Sequence, residues 1–219
     1  MTVFDGGAST GMMTLLFSFL AARVHAFEPH SGSYLRLGAT FSLHPRGNVV
    51  VNNLALSDKA GERQLNVYGN KAGWSTLIDR PVSEGGVDTL PSGQETVKIM
   101  TVDQYCAEQG INNIGLLKLD VEGSEYPAML GAEKMLSEKA ISCIVMEYGR
   151  TWWDAGYTPD DVENYLGKHG MVCFNVLRDQ PPFPGRESGE ASRYAIMVAA
   201  PRDGQDRVKS IINFIAEVG

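Results

Sequence analysis

A glycine-rich turn between an apolar strand and an apolar helix constrains this chain more than any other feature. The turn spans Asp5–Gly11, and the helical segment Met12–Ala22 follows it. A second short apolar strand comes next and ends in the carboxylate of Glu28. Glycines at such a turn let a ligand approach the backbone closely, and an acid at the next strand end can hold ribose hydroxyls. The pattern predicts a nucleoside-containing cofactor at the carboxyl edge of a parallel sheet.

The spacing of the glycines distinguishes two kinds of cofactor. A dinucleotide site typically has glycines at i, i+2 and i+5, and neither Gly6 nor Gly7 begins such a series, because the next glycine is Gly11. The pattern Asp-x-Gly-x-x-x-Gly resembles motif I of S-adenosylmethionine (SAM) methyltransferases instead. In that interpretation Asp5 faces the cationic amino group of SAM, and Gly7 and Gly11 leave room for its ribose and methionine. Glu28 accepts the ribose hydroxyls. A purely structural turn with a solvated acid is the alternative.

A second cluster of charged residues follows a strand near the middle of the chain. Lys118 and Asp120 lie two residues apart on that strand, so their side chains share one face. A lysine in a strand covered on both sides needs a partner, and Asp120 is the nearest candidate. Aligning the neighbouring strand ends places Glu147 beside Asp120, with Asp5 one strand further. We therefore expect three carboxylates at the carboxyl edge, where open α/β sheets bind ligands.

The chain resembles FkbM-type methyltransferases at the segment Leu117–Glu125 and at Met129–Ala132, which follows it. Shorter blocks resemble the same family; these are Phe4–Gly11, Phe27–Pro29, Asn53–Asp58, Thr101–Asp103 and Ile144–Glu147. The resemblance covers roughly residues 2–150. It implies a SAM-dependent O-methyltransferase that acts on a hydroxyl of a small molecule or glycan. Ser9 stands where the family commonly has Asn. Family members usually carry a segment before the first strand, so the resemblance implies a truncated or minimal version.

Methyl transfer to an alcohol needs a proton acceptor within hydrogen-bond reach. We expect Asp120 in that role, because it ends the strand nearest the transferred methyl group, with Lys118 orienting it. The candidate catalytic residues are Asp120, Lys118, Glu122 and Glu147. The candidate cofactor-binding residues are Asp5, Gly6, Gly7, Ala8, Ser9, Gly11, Thr14, Glu28, Pro29, Asn53, Leu54 and Asp120. A structural Lys118–Asp120 ion pair is one alternative. A divalent cation on Asp120, Glu122 and Glu147 is another, although the family does not imply a metal.

The order of apolar strands and helical segments predicts an α/β fold. We expect a doubly wound, mostly parallel seven-stranded sheet with a C-terminal antiparallel strand pair, the Rossmann-like fold of SAM methyltransferases, in a single domain of residues 1–219. The predicted strands are Met1–Asp5, Val24–Glu28, Asn48–Asn53, Gly115–Asp120, Ile141–Glu147, Met171–Leu177 and Tyr194–Ala200. The predicted helices are Met12–Ala22, Ser33–Phe41, Thr101–Glu108, Tyr126–Glu138, Pro159–His169 and Asp206–Val218. Leu54–Gln94 is predicted as a long loop with a short strand near Arg63–Val67, and Glu125 as a helix N-terminal charge.

Composition excludes several classes of protein. The net charge of −7 and pI near 5.1 argue against a nucleic-acid or anionic-membrane partner. The run Met12–Leu20 lacks a basic segment before it, so we expect a buried helix and not a signal peptide. The three cysteines have no metal-binding spacing and indicate buried thiols in a reducing, cytoplasmic setting. Two rival functions stay open: a nicotinamide-dependent oxidoreductase and a non-catalytic SAM-binding scaffold.

Overall fold

The computed structural model describes residues 1–69, 72–79, 83–84, 87–88, 90–176, 183–184 and 194–204. The strands are β1 Thr2–Gly6, β2 Arg23–Phe27, β3 Val49–Asn52, β4 Ala55–Leu56, β5 Gly61–Val67, β6 Ser83–Glu84, β7 Val87–Asp88, β8 Gly93–Met100, β9 Leu116–Leu119, β10 Ile144–Tyr148, β11 Met171–Asn175 and β12 Ala195–Pro201. The helices are α1 Met12–Leu20, α2 Ser31–Leu43, α3 Val102–Gln109, α4 Glu125–Leu130, α5 Glu133–Ser137, α6 Arg150–Asp154 and α7 Pro159–Lys168.

The main sheet has seven strands in the order β11-β12-β10-β9-β1-β2-β3. Strands β3, β2, β1, β9 and β10 run parallel, and β12 pairs antiparallel with β10 and β11. The predicted sheet and its C-terminal antiparallel pair are confirmed. The predicted helix Asp206–Val218 lies outside the described residues. Among the residues that are described, no helix has the length and apolar character needed to cross a membrane.

In the segment Leu54–Gln94, the short strand predicted near Arg63–Val67 is confirmed as β5, but the segment also contains β4, β6, β7 and the start of β8. Strands β4, β5 and β8 form a separate three-stranded sheet, in which β5 pairs antiparallel with β8 over seven residue pairs. The small sheet has its own apolar core, which includes Leu65, Val97 and Ile99. Val97 and Ile99 alternate with exposed Thr96 and Lys98, and this period of two is the strand signal that the prediction missed.

Helix α1 is oriented opposite to the prediction of a buried apolar helix. Its apolar residues Met12, Phe19 and Leu20 are 80%, 62% and 70% exposed, whereas Thr14 and Ser18 are buried. The cause lies in β1, because the buried carboxylate of Asp5 points under the helix and accepts a hydrogen bond from the Thr14 hydroxyl at 2.6 Å. A buried carboxylate without such a donor is costly, so the helix turns its hydroxyl face to the sheet.

The predicted helix Tyr126–Glu138 is two short helices, α4 and α5, with a break at Gly131. A Cβ atom at Gly131 would lie 2.0 Å from the main-chain oxygen of Ser57, so the break brings the chain against β4. The Asp103 carboxylate then accepts the amide hydrogens of Lys134 and Met135 at the start of α5. These contacts close the large apolar core that covers one face of the main sheet.

Candidate active site

A cleft lies at the carboxyl edge of β1, β2 and β9. The turns that follow these three strands line it, and residues of the small sheet form the opposite wall. The predicted site residues that line the cleft are Gly7, Ser9, Glu28, Pro29, Asp120 and Glu122. The structure thus brings together the glycine turn, the strand-end acid and the second charged cluster, as the strand order predicted.

Gly7 is needed because two turns touch. Its φ is +74°, and a Cβ atom there would lie 1.8 Å from the main-chain oxygen of Asp120. Gly11 has a different neighbour, since a Cβ atom there would lie 2.6 Å from the Leu37 side chain of α2. Gly11 does not line the cleft, and room for the ligand at this residue stays a prediction. This glycine lets α2 approach the turn.

The carboxylate of Glu28 organises the turn and also lines the cleft. One oxygen accepts the Ser9 amide hydrogen at 2.8 Å, and the other accepts that of His30 at 2.9 Å. Burial raises the pKa of Glu28, and the two amide donors partly oppose that rise. Asn53 does not line the cleft, but its side-chain amide donates to the main-chain oxygens of Glu28 and Pro29. Asn53 thereby supports the segment that carries the acid.

Lys118 is paired mainly with Asp5 and not with Asp120 as we predicted. The Lys118 Nζ atom lies 3.0 Å from Asp5 Oδ1 and 3.6 Å from Asp120 Oδ2, and it also donates to the main-chain oxygens of Gly6 and Gly7. The register explains the preference, because Asp5 lies directly opposite Lys118 on the neighbouring strand. Burial alone lowers the pKa of Lys118, but the two carboxylates outweigh it and raise that pKa.

Asp5 is fully buried between Lys118 and Thr14. The prediction that its carboxylate faces a ligand's amino group is therefore wrong, because both oxygens are turned into the protein. Ala8 and Leu54 also lie away from the cleft: Ala8 packs with Leu37, and Leu54 packs against the main core. The strand pattern placed these residues at the edge but could not show which side of the turn each one faces.

Three carboxylates meet beside the cleft, but they are not the predicted three, because Glu122 joins Asp120 and Glu147 while Asp5 is buried against Lys118. Oxygen atoms of Asp120, Glu122 and Glu147 all lie within 4.8 Å of one another. Burial and the neighbouring carboxylates of Asp120 and Glu122 raise the pKa of Glu147 to about 8. The charged form of Glu147 is therefore disfavoured beside Asp120 and Glu122. Oxygen ligands of this kind suit Mg²⁺, and a divalent cation here stays a hypothesis of the sequence analysis.

The small sheet and the segment that follows β5 contribute cleft residues that the sequence analysis missed. Leu65 lies on β5, Ser75, Thr76 and Leu77 follow β5 in the chain, and Ser124 lines the cleft from the turn after β9. The hydroxyl oxygens of Ser75 and Ser124 are buried without a hydrogen-bond partner among the described residues. Buried polar atoms are normally paired, so these two hydroxyls mark positions where a polar ligand would be bound.

A family model described as the methyltransferase FkbM domain matches residues 5–173. This chain belongs to the FkbM methyltransferase domain family. The family assignment confirms the resemblance predicted from the Lys118–Glu125 segment, and SAM is the cofactor of this methyltransferase.

Two relatives show how similar the chain is to other members of the family. The 31-O-demethyl-FK506 methyltransferase FkbM from Streptomyces tacrolimicus is 34% identical over 84% of this chain and 77% of its own length. Hexuronic acid methyltransferase AglP from Haloferax volcanii is 23% identical over 86% of this chain and 71% of its own length. The crystal structure of methyltransferase FkbM from Methylobacillus flagellatus KT superposes with a TM-score of 0.56 at 15% identity. It matches 91% of this chain, which spans 43% of that longer chain.

Proposed function

We propose that this protein is a SAM-dependent O-methyltransferase whose acceptor is a hydroxyl of a small molecule or glycan. The observation that carries the proposal is the position of Asp120, whose carboxylate lines the cofactor cleft, is 46% exposed and lies beside the Lys118 ammonium. One relative is named for a substrate that lacks a methyl group on an oxygen, and another for a hexuronic acid. Both names support a small hydroxylated acceptor.

The residues of the cleft fit SAM. Gly7 presents bare backbone there, and Glu28 brings a carboxylate to the wall formed by the turn after β2. The unpaired hydroxyls of Ser75 and Ser124 offer further hydrogen bonds, and Leu65 supplies apolar surface. These residues would hold the cofactor. SAM, when bound, would supply the methyl group of its sulfonium: the acceptor oxygen would bond to the methyl carbon in line as the carbon–sulfur bond breaks, with S-adenosylhomocysteine as the leaving group.

The cleft contains a carboxylate that could accept the proton of the acceptor hydroxyl. We assign its removal to Asp120, since a positioned carboxylate is an effective proton acceptor for an alcohol. Lys118 holds that carboxylate from the protein side. Burial and the carboxylates of Asp120 and Glu122 raise the pKa of Glu147, which disfavours a second negative charge beside Asp120. Among the three neighbouring carboxyl groups, that of Asp120 is the most exposed and is therefore the most open to the acceptor.

Binding and turnover test the proposal in sequence. Calorimetry should detect binding of SAM and S-adenosylhomocysteine and none of NADH, and a panel of small hydroxyl compounds then identifies the acceptor. Asp120→Asn should keep most cofactor affinity and lower single-turnover methyl transfer by about 10²–10⁴-fold. Glu108→Gln is the matched control, because its carboxylate lies on α3 and accepts a hydrogen bond from Gln104. NADH binding without SAM binding would contradict the cofactor, and binding without any methyl transfer would favour a scaffold.

A further inference from the structure

The turn that carries Asp120 and Glu122 to the cleft has an unfavourable backbone. Glu122 has φ +54° and Gly123 has φ +98°, both in the left-handed region. A residue with a side chain pays about 1–2 kcal/mol in that region. The turn comprises residues 120–124, between β9 and α4. Such a conformation persists only where the surrounding structure holds it.

The side chain of Glu125 holds this turn from below. One carboxylate oxygen accepts the Val121 amide hydrogen at 2.8 Å, and the other accepts that of Gly123 at 2.9 Å. Glu125 begins α4, as the prediction of a helix N-terminal charge expected, but its side chain is fully buried. Two backbone amides of the turn therefore depend on one carboxylate that never reaches the cleft.

Tyr157 completes the arrangement from the segment after α6. Its hydroxyl lies 3.1 Å from the same Glu125 oxygen and 3.2 Å from the main-chain oxygen of Gly123. From the cleft side, the Thr76 hydroxyl donates to the main-chain oxygen of Glu122 at 2.6 Å. Gly123 has no space for a side chain, since a Cβ atom would lie 2.6 Å from the Ile78 side chain. The turn is therefore held on both sides.

We propose that Glu125, together with Tyr157, is a positioning residue for methyl transfer, which sets Asp120 and Glu122 at the cleft without touching cofactor or acceptor. This inference rests on the proposed function of Asp120 as the proton acceptor. A misplacement of about 1 Å in a reacting group can cost about 10²-fold in rate. The effect should therefore fall on transfer and spare cofactor binding, most of whose partners lie elsewhere in the cleft.

The carboxylate form of Glu125 is the form that fits this turn, because it accepts from two amides and a phenol. Burial raises the pKa of Glu125 to about 7, and the nearby carboxylates of Glu122 and Asp120 contribute to the rise. Glu147 on β10 and Tyr157 also interact with it electrostatically. Because the folded-state pKa lies above the ordinary value of 4.5, ionisation of Glu125 costs folding free energy as the pH rises, and the amide hydrogen bonds only partly offset that cost.

The chain offers a matched control for Tyr157. The Tyr165 hydroxyl also binds a glutamate, Glu133 at 2.6 Å, and a main-chain oxygen, that of Met129 at 3.2 Å. Neither partner lines the cleft. Tyr157→Phe and Tyr165→Phe therefore remove the same pair of contacts, once at the turn and once away from it. A role in stability alone predicts equal behaviour of the two variants.

The test compares Glu125→Gln, Tyr157→Phe and Tyr165→Phe with the parent protein. Glu125→Gln should lower methyl transfer at saturating SAM by about 10²-fold while S-adenosylhomocysteine affinity changes by less than about threefold. Tyr157→Phe should fall by about tenfold, and Tyr165→Phe should keep the parent rate. Hydrogen exchange at the Val121 and Gly123 amides should quicken in Glu125→Gln.

Parent-like transfer by Glu125→Gln, or an equal loss in both tyrosine variants, overturns the inference. A parent protein that binds SAM and methylates no tested hydroxyl defeats the proposed function. In that case the exchange comparison still decides the inference: unchanged protection of Val121 and Gly123 in Glu125→Gln shows that the carboxylate does not hold the turn.

Discussion

Two turns meet at the cleft, one after β1 and one after β9, and a buried carboxylate holds each of them. Glu28 accepts the amide hydrogens of Ser9 and His30, and Glu125 accepts those of Val121 and Gly123. Each turn also contains a residue with a side chain in the left-handed region, Ser9 at φ +51° and Glu122 at φ +54°. The same solution to backbone strain occurs twice.

The two carboxylates differ in their electrostatic surroundings. Glu28 lines the cleft, and the cations Lys118 and Arg36 favour its charged form. Glu125 is completely enclosed, and the carboxylates of Glu122 and Asp120 disfavour its charge. The carboxylate that lines the cleft therefore lies near cations. The enclosed carboxylate, which accepts hydrogen bonds from within the protein, lies where its charge is costly.

The largest effect should come from the point where the two turns touch. Gly7→Ala would place a Cβ atom 1.8 Å from the Asp120 main-chain oxygen at a φ of +74°, so we expect a loss of more than about 4 kcal/mol in unfolding free energy. Gly156→Ala is the control, because Gly156 has φ +82° and open space around it. It should lose only about 1–2 kcal/mol. Equal losses in urea denaturation would show that the turns can separate.

Removing the cation beneath both turns should have the next largest effect. Lys118→Met leaves the fully buried Asp5 carboxylate without its ion partner, and we expect a loss of about 3–5 kcal/mol in unfolding free energy. Asp120→Asn removes the more distant and half-exposed partner and should cost less than about 1 kcal/mol. Combining Lys118→Met with Asp5→Asn should recover part of the loss. The reverse ranking in denaturation would make Asp120 the main partner.

The pH dependence of the unfolding free energy should report on the buried carboxylate of Glu125. The folded pKa of Glu125, about 7, lies above its ordinary value of 4.5, so the folded state binds this proton more tightly. Its contribution is fully present below pH 4.5 and is lost as the pH rises to about 7. At roughly 1.4 kcal/mol per pKa unit, the parent should lose about 3 kcal/mol relative to Glu125→Gln across this window. Parallel stability curves for the two proteins would contradict the shift.

Cofactor binding should depend on the carboxylate that lines the cleft. Glu28→Ala should weaken SAM binding by about 1–3 kcal/mol in calorimetry, because charged hydrogen bonds to the ligand and to the Ser9 amide are lost. Glu95→Ala is the matched control: its carboxylate also binds backbone, at the Ser31 amide, but lies outside the cleft lining. A similar loss in both variants would assign the effect to the loop and not to ligand contact.

The smallest effect concerns the left-handed residue of the first turn. Asn adopts φ near +50° more readily than Ser does, so Ser9→Asn should raise the unfolding free energy by about 0.5–1 kcal/mol. The Ser9 amide would still donate to Glu28, and SAM affinity should be unchanged. Thermal denaturation measures the difference. A destabilised variant would indicate that the Ser9 side chain itself has a role in the turn.

The strand ends were predictable from the sequence, since a period of two and the order of elements place Glu28, Asp120 and Glu147 at one edge. The partner of Lys118 was not predictable, because the pairing of β1 with β9 puts Asp5 opposite it. The orientation of α1 depended on the same burial of Asp5, which binds Thr14. The composition of this apolar helix could not reveal that its hydroxyl-bearing face would be the one turned to the sheet.

By itself, the sequence determined the family, the seven-stranded sheet and the edge at which the site lies, because local periodicity and motif spacing act over short distances along the chain. The tertiary structure decided what each side chain contacts. It brought Ser75 and Leu65 to the cleft. Leu65 is more than fifty residues away in the chain from the turn that bears Asp120. It also showed that Glu125, the first residue of α4, is buried and accepts hydrogen bonds from two amides of the preceding turn. Such roles depend on contacts between segments that are distant in the chain, and a local sequence pattern does not specify those contacts.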